Sequence, residues 1–505
     1  MKSLLSIITA ALVGTGLSAQ APYCEPVYSV GTNGHHFVHG VWMGDINNVF
    51  TGGDDGTYQD YTAMSSPLFL GQTHSISIIG SEWANNTYAV FIDFNQDDDF
   101  DDANEYIGEF TIDEPYETNS LLVSIPEDAA TGYTRMRVRN AYGTTYIDPC
   151  AEYGYGETED YTVYIQSYAP PVGNMVWPGD ANNDGVANAW DVLNMGLTFG
   201  SSGDPRVNQG ITWEGMEAID WGVQALGTDA KFTDCNGDGT VNFSDVTAIE
   251  TNYNQVQDNV VFNPLSVNGL GIQGSLSLVP RDNLGMANTG DEVLIDVYAH
   301  NISDFYGTAF SVAMPNHLVE QGTVTVDFFE SAVGTINQDL IGVSYYADGV
   351  LDIGVSRNDL QTFSGTGIVA TISIVIEDDV AGKNTVYYDF EMAFANVVSV
   401  NANGDISAYS TIGTKFTVED NFSGVEDMDL IDVKISPNPN PNGKFNVVTS
   451  VNIEKVEVVD ISGRLLFTQD QNSQNIQLNI NQSAGVYFVR LYSAHGIATR
   501  KVIIE

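Results

Sequence analysis

The chain has 505 residues, with 17 Lys and Arg against 66 Asp and Glu, a formal charge of −49. That length calls for several domains, and 43% hydrophobic with only 16% charged residues excludes a highly charged disordered chain. Such a polyanion is repelled by nucleic acid and by anionic lipid surfaces, and suits divalent cations instead.

Residues 1–19 read as an export signal: Lys2 is the positive region, Leu4 to Leu17 the apolar run, and Leu17-Ser18-Ala19 a small-residue cleavage site. No later stretch is apolar enough to cross a bilayer. Export makes a Cys24–Cys150 disulfide the expected pairing, and closing a loop of that size contributes about 4–5 kcal/mol in the chain-entropy model. Cys235 has no evident partner.

Residues 20–167 read as one β-rich unit, with strand patterns at Ser75–Ile79, Tyr88–Phe94, Leu121–Ile125, Arg135–Arg139 and Tyr161–Ile165 between Gly, Asn and Asp turns. Arg135, Arg137 and Arg139 alternate with Met136 and Val138, so the three guanidinia share one face. They are placed to pair with Glu157, Glu159 and Asp160, or to capture an acidic sugar or peptide carboxylate as a ligand-binding patch. His35, His36 and His39, without nearby Cys, read as a surface loop rather than a soft-metal site. Ala169 to Gly173 is a stiff linker.

The strongest chemistry lies in residues 174–256. Asp180, Asn182, Asp184, Val186, Asn188 and Asp191 stand at positions one, three, five, seven, nine and twelve of a loop with Gly185 at six. Asp234, Asn236, Asp238, Thr240, Asn242 and Asp245 repeat that spacing around Gly239. Alternating oxygens wrap a hard cation, the glycine permits the sharp bend, and three carboxylates per loop favour Ca²⁺. Val186 and Thr240 would offer backbone carbonyls. Each loop runs into a helical pattern, Asp191–Leu197 and Asp245–Tyr253. A third candidate, Asp93, Asn95, Asp97 and Asp99, has Asp98 where glycine is expected. Two Ca²⁺ ions are expected, with a third at this loop.

Alternation returns over 258–418, as in Glu292–Tyr298 and Ile368–Ile374, and suits a sandwich. Residues 419–432 form an acidic linker, and 433–505 show short strands again. Residues 434–505 carry seven basic and five acidic side chains, so the tail is basic while the rest is −51. A sign change this abrupt marks a segment with a separate job. There is no Gly-x-Ser-x-Gly, His-Glu-x-x-His or phosphate loop, so no catalytic residues are assigned.

Four resemblances add to this. Residues 20–167 resemble the GEVED family of secreted bacterial proteins through Tyr58-Gln-Asp60-Tyr61, Val90 to Asp97, Thr134 to Val138 and Gly156-Glu157-Thr158-Glu159-Asp160-Tyr161, which implies a β-sandwich module. The paired loops resemble the dockerin type I repeat, which implies calcium binding; the positions implicated in partner choice fall on Ala189-Trp190 and Phe243-Ser244. Residues 258–418 resemble a cohesin sandwich through Gly290 to Val293, Asn301 to Phe310 and Gly365 to Ile372, inviting head-to-tail assembly or internal docking. Residues 433–505 resemble the type A C-terminal sorting domain of the type IX secretion system through Ile435 to Pro439, Val458 to Arg464, Gly485 to Leu491 and Lys501 to Ile504. That resemblance implies Sec export, passage across the outer membrane of a Bacteroidota-type bacterium, and release or attachment to surface lipopolysaccharide.

The expected fold class is mostly β: tandem β-sandwich domains, a small α-helical dockerin-like module and a C-terminal Ig-like sorting domain. The expected function is an exported, calcium-binding surface or extracellular adhesion or scaffold protein without catalysis. The alternative is an accessory carbohydrate-binding component of extracellular polysaccharide degradation. Expected partners are the type IX machinery, lipopolysaccharide, polysaccharide or a cohesin- or dockerin-type protein, with no nucleic acid.

Overall fold

The computed structural model describes residues 23–53, 56–167, 175–257, 274–281, 284–377, 386–407, 409–420, 433–441, 443–460, 464–480, 482–494 and 496–504. The expected export signal, the 169–173 linker and almost all of the 419–432 linker lie outside the described residues. The described chain is mostly β and forms two compact units, one from the described residues of 23–377 and 386–420 and one from those of 433–504. Among the described residues no helix is long and apolar enough to cross a membrane.

The N-terminal part of the larger unit is built on strand alternation. In Tyr153–Gln166, Tyr161, Val163 and Ile165 point into the core, and the antiparallel neighbour Gly132–Tyr142 adds Met136 and Val138. Asn86–Ile92, Tyr106–Ile112, Tyr28–Gly31 and the parallel strand Tyr58–Phe69 complete this sheet. Facing it are Ile46–Val49, Val38–Met43, Thr73–Gly80 and Glu117–Ser124, whose Val38, Val41, Ile76 and Ile78 meet Tyr88 and Val90 in one apolar core. The Cys24–Cys150 disulfide forms, with Cys24 Sγ 3.2 Å from Arg137 Nη1.

The following sandwich pairs Glu292–Phe305 with Phe363–Val375 in antiparallel register, Val293 opposite Ile374 and Ile295 opposite Ile372, all buried. Its second sheet runs through Gly307–Ala313, Val350–Arg357, Leu340–Ala347 and Val386–Val400. The hairpin from Leu340–Ala347 to Val350–Arg357 turns on Asp348 and Gly349, both at positive φ (49° and 84°), the geometry that matches strand twist in a two-residue turn.

The expected boundaries between residues 20–167, 174–256 and 258–418 do not separate independent bodies. Thr411 and Ile412 pair with Thr118 and Glu117, so strands from both ends of the unit run in one nine-stranded sheet. Glu391 of the sandwich, itself 2.8 Å from Lys415 Nζ, lies 2.6 Å from His39 Nε2, a buried contact to the N-terminal part. Sheet edges join where their backbone groups find partners, and edge pairing of this kind leaves no periodic trace in sequence.

Between these parts, helix α1 (Asp191–Thr198) and helix α2 (Phe243–Thr251) lie on the sandwich. Trp190, Val192, Leu193 and Met195 share one buried cluster with Tyr306, Ala309, Ile341, Val343 and Val398. The approach is close because glycine allows it. A Cβ on Gly354 would stand 2.1 Å from the Ala189 carbonyl oxygen, and one on Gly196 2.1 Å from Ser356 Oγ.

The smaller unit is a five-stranded antiparallel sheet of Val433–Ser436, Lys444–Asp460, Leu465–Asn479, Gly485–Ser493 and Gly496–Ile504. Phe445, Val447, Val458, Leu478, Val489, Leu491 and Val502 form its core.

Candidate functional site

The two loops of residues 174–256 fold by the same scheme. The carboxylate at position one accepts the position-six N–H: Gly185 to Asp180 Oδ2 at 3.0 Å, Gly239 to Asp234 Oδ2 at 3.1 Å. Position five donates its N–H to the position-three amide oxygen, Asp184 to Asn182 at 2.9 Å and Asp238 to Asn236 at 2.8 Å. The closing carboxylate accepts from positions three and nine. Asp191 takes the Asn182 and Asn188 N–H groups at 2.9 and 2.7 Å, Asp245 those of Asn236 and Asn242 at 3.0 and 2.8 Å. Gly185 and Gly239 take φ of 95° and 91°, which the bend requires.

These hydrogen bonds gather acids in places water hardly reaches. Asp180, Asp191, Asp234 and Asp245 are all buried. Burial, reinforced by the Asp184 charge, lifts the Asp180 and Asp191 carboxyls well above the usual range. Burial alone takes Asp184 to about 7, and burial is the main cause for Asp245, also about 7. The donor set is all oxygen, which fits a hard divalent cation.

Two supporting residues escaped sequence analysis. Gln257 Nε2 donates to Asp180 Oδ2 at 2.7 Å, and the buried Arg206 donates to the carbonyls of Asp234 and Cys235 at 2.6 and 2.8 Å. Arg206 comes from the stretch between the loops, whose local pattern gives no hint of what it touches. Cys235 is a buried free thiol.

The third candidate loop bends in the same way without glycine: Asp98 itself adopts φ 66° and donates its N–H to Asp93 Oδ2 at 3.2 Å. Asp97 donates its N–H to Asn95 Oδ1 at 3.0 Å. Asp93 and Asp97 come together with Glu105, ligand atoms within 4.8 Å of one another. Asp99 is not in that group; its carboxylate accepts the Asp101 N–H. Glu105 stands thirteenth from Asp93, one residue beyond the spacing that located the other loops.

Of the two readings of the arginine patch, the structure favours ion pairing over a ligand-binding face. Arg137 and Arg139 are buried, at 1% and 0% exposure, and unavailable to a ligand. Arg137 sits directly across the ladder from Asp160 and grips both its oxygens, Nε to Oδ1 at 2.7 Å and Nη2 to Oδ2 at 2.8 Å. Arg139 donates to Tyr28, Thr158 and the carbonyls of Asp148 and Ala151. Arg135, part-exposed, also reaches Asp160 and lies over the Tyr23 ring at 4.3 Å. Because buried Asp160 would lose its two-point partner and Oδ1 its Arg137 donor, with only Arg135 and the Tyr58 hydroxyl left on Oδ2, Arg137→Ala is expected to cost about 3–5 kcal/mol in denaturant unfolding. A loss below 1 kcal/mol would show that the pair contributes little.

The histidines do not converge either. His35 faces Glu82, His39 faces Glu391, and His36 bonds Asn86 among Trp83, Tyr142 and Tyr155.

Comparison with known proteins matches two stretches of the chain. The GEVED domain family matches residues 87–164, and the family described as a secretion system C-terminal sorting domain matches residues 434–505. No curated protein matches the chain. Similar solved structures include a non-cellulosomal cohesin from the archaeon Archaeoglobus fulgidus (14% identity, 29% of this chain, 90% of that one, TM-score 0.22). A type I cohesin–dockerin complex from Clostridium thermocellum is similar at 12% identity over 30% of this chain and 99% of that one, TM-score 0.26. So is a type II cohesin from the cellulosome of Acetivibrio cellulolyticus, at 17% over 29% and 94%, TM-score 0.23. The sorting-domain match makes this an exported chain, carried by type IX secretion to the cell surface or the extracellular space.

Proposed function

We propose that this is an extracellular adhesion or scaffold protein in which two acidic loops each hold a Ca²⁺ ion and a dockerin-like module is docked on the chain's own sandwich. Asp180, Asn182, Asp184 and Asp191 would hold one ion, and Asp234, Asn236, Asp238 and Asp245 the other. The ion supplies charge neutralisation, so that carboxylates crowded in a buried loop settle into one arrangement. One observation carries the proposal: Ala189 and Trp190, at a position implicated in dockerin partner choice, are buried, and the Trp190 indole N–H donates to the Asn396 carbonyl at 3.3 Å. The Ala189-Trp190 position is spent inside the molecule and Phe243 packs on the same cluster, so the module braces the larger unit, with Ser244 left exposed at the second position.

Sedimentation of the mature chain in calcium is expected to show a monomer at every concentration. Growing head-to-tail assemblies would overturn internal docking. For the adhesive role, cells lacking the chain are expected to attach less to a surface than cells displaying it, and equal attachment would discard that role.

One observation favours the second reading, carbohydrate binding. Trp83, Tyr142 and Tyr155 are 55%, 48% and 38% exposed and cluster around His36, offering flat apolar faces to sugar rings. Selective binding of one polysaccharide on a glycan array, lost on Trp83→Ala, would support it.

A further inference from the structure

We infer that the loop from Asp93 to Glu105 is a third divalent-cation site, closed by Glu105 and suited to Ca²⁺. It stands on residues separate from the two loops of the proposed function. Glu105 opens the segment leading into strand Tyr106–Ile112 and is 1% exposed. Its Oε1 accepts the Phe94 and Asn95 N–H groups at 3.0 and 3.4 Å, and its Oε2 is buried with no hydrogen-bond partner. A buried carboxylate oxygen without a donor is destabilising, because it has given up its water without a replacement partner. Asp93 and Asp97 bring further carboxylates, with one ligand atom of each of the three acids within 4.8 Å of the others, a grouping that suits a cation taking oxygen ligands.

Comparison with the other loops sharpens the assignment. Asp191 and Asp245 use one oxygen on the position-three N–H and the other on the position-nine N–H. Glu105 matches the first contact through Asn95 and lacks the second, so one of its oxygens is left for a metal. Its longer side chain spans the extra residue of the loop. Nearby cations are already committed: Arg135 and Arg137 bond Asp160. Three carboxylates on one loop favour Ca²⁺, because Mg²⁺ keeps its waters and demands a tighter octahedron. Asp93 also accepts the Tyr23 hydroxyl at 2.5 Å, one residue before the Cys24–Cys150 disulfide, so the ion would fasten the N-terminal segment to the hairpin of Asn86–Ile92 and Tyr106–Ile112.

Equilibrium dialysis against calcium tests this on the full mature chain. With Asp180→Ala and Asp234→Ala disabling the other loops, one bound ion per chain is expected to remain. Adding Glu105→Gln, which keeps the shape and an oxygen for the Phe94 N–H, is expected to remove it. No ion on the first variant, or an ion retained after Glu105→Gln, overturns the site. Should those variants fail to fold, Glu105→Gln and the exposed-site change Asp97→Asn in the otherwise unaltered chain are each expected to lower the bound calcium by one ion; unchanged stoichiometry in both overturns it. A wild-type chain holding a single ion that Glu105→Gln abolishes would keep this site and sink the two-loop proposal instead.

Discussion

Chelating calcium from the secreted chain is expected to lower the melting temperature of its larger unit by about 10 °C. An ion held at about a thousand times its Kd stabilises the folded state by about 4 kcal/mol, so two loops contribute about 8 kcal/mol. Unfolding entropy near 2 cal/mol/K per residue turns that into the stated shift for a cooperative unit of this size. Cooperativity is expected because α1 is packed into the sandwich and the sandwich shares a sheet with the N-terminal part. The smaller unit contains no such loop in its described residues and serves as the internal control. Calorimetry with and without chelator measures the shift. Asp180→Ala combined with Asp234→Ala is expected to reproduce the two-loop share of the shift and to leave only the smaller chelator response of the single ion proposed between Asp93 and Glu105. A melt unmoved by both treatments would leave the loops as solvated turns.

Trp190→Ala is expected to destabilise the larger unit by about 3–5 kcal/mol, the cost of emptying a buried aromatic site. Trp190 is 2% exposed and lies in the cluster formed with Tyr306, Ala309 and Val398, with its N–H on the Asn396 carbonyl. The variant separates docking from ion binding, since the side chains proposed as ligands are untouched. Calcium stoichiometry should hold while urea unfolding moves earlier and residues 174–256 become sensitive to protease. Loss of calcium together with stability would instead mean that the loops depend on the sandwich for their shape. An unchanged urea midpoint would remove the indole from the docking contact altogether.

The extent to which the site was legible follows the range of the interactions. The two loops were readable because every proposed ligand lies within twelve residues, and the bond from position six to position one is made inside the same turn. Glu105 was missed for a local reason, a single extra residue before the closing acid. Gln257 and Arg206 were missed for a distant one, since Gln257 lies 77 residues from Asp180 and Arg206 28 residues from Asp234. The arginine stripe was half readable. Alternation put three guanidinia on one face, but only the ladder register, Arg137 opposite Asp160, shows that the face is closed.

Sequence alone determined the elements whose forces act between near neighbours: the strands whose every second side chain seeks the core, the acidic loops, and the basic tail whose charge sets it apart from the rest of the chain. Tertiary structure alone decided that the described residues of 23–377 and 386–420 form one unit, which neighbour the apolar face of α1 covers, and that Arg137 and Arg139 are structural. The physical reason is that apolar burial is non-directional. A periodic stripe states that a face must be covered, while shape, close approach at Gly196 and Gly354, and a few buried hydrogen bonds select the surface that covers it.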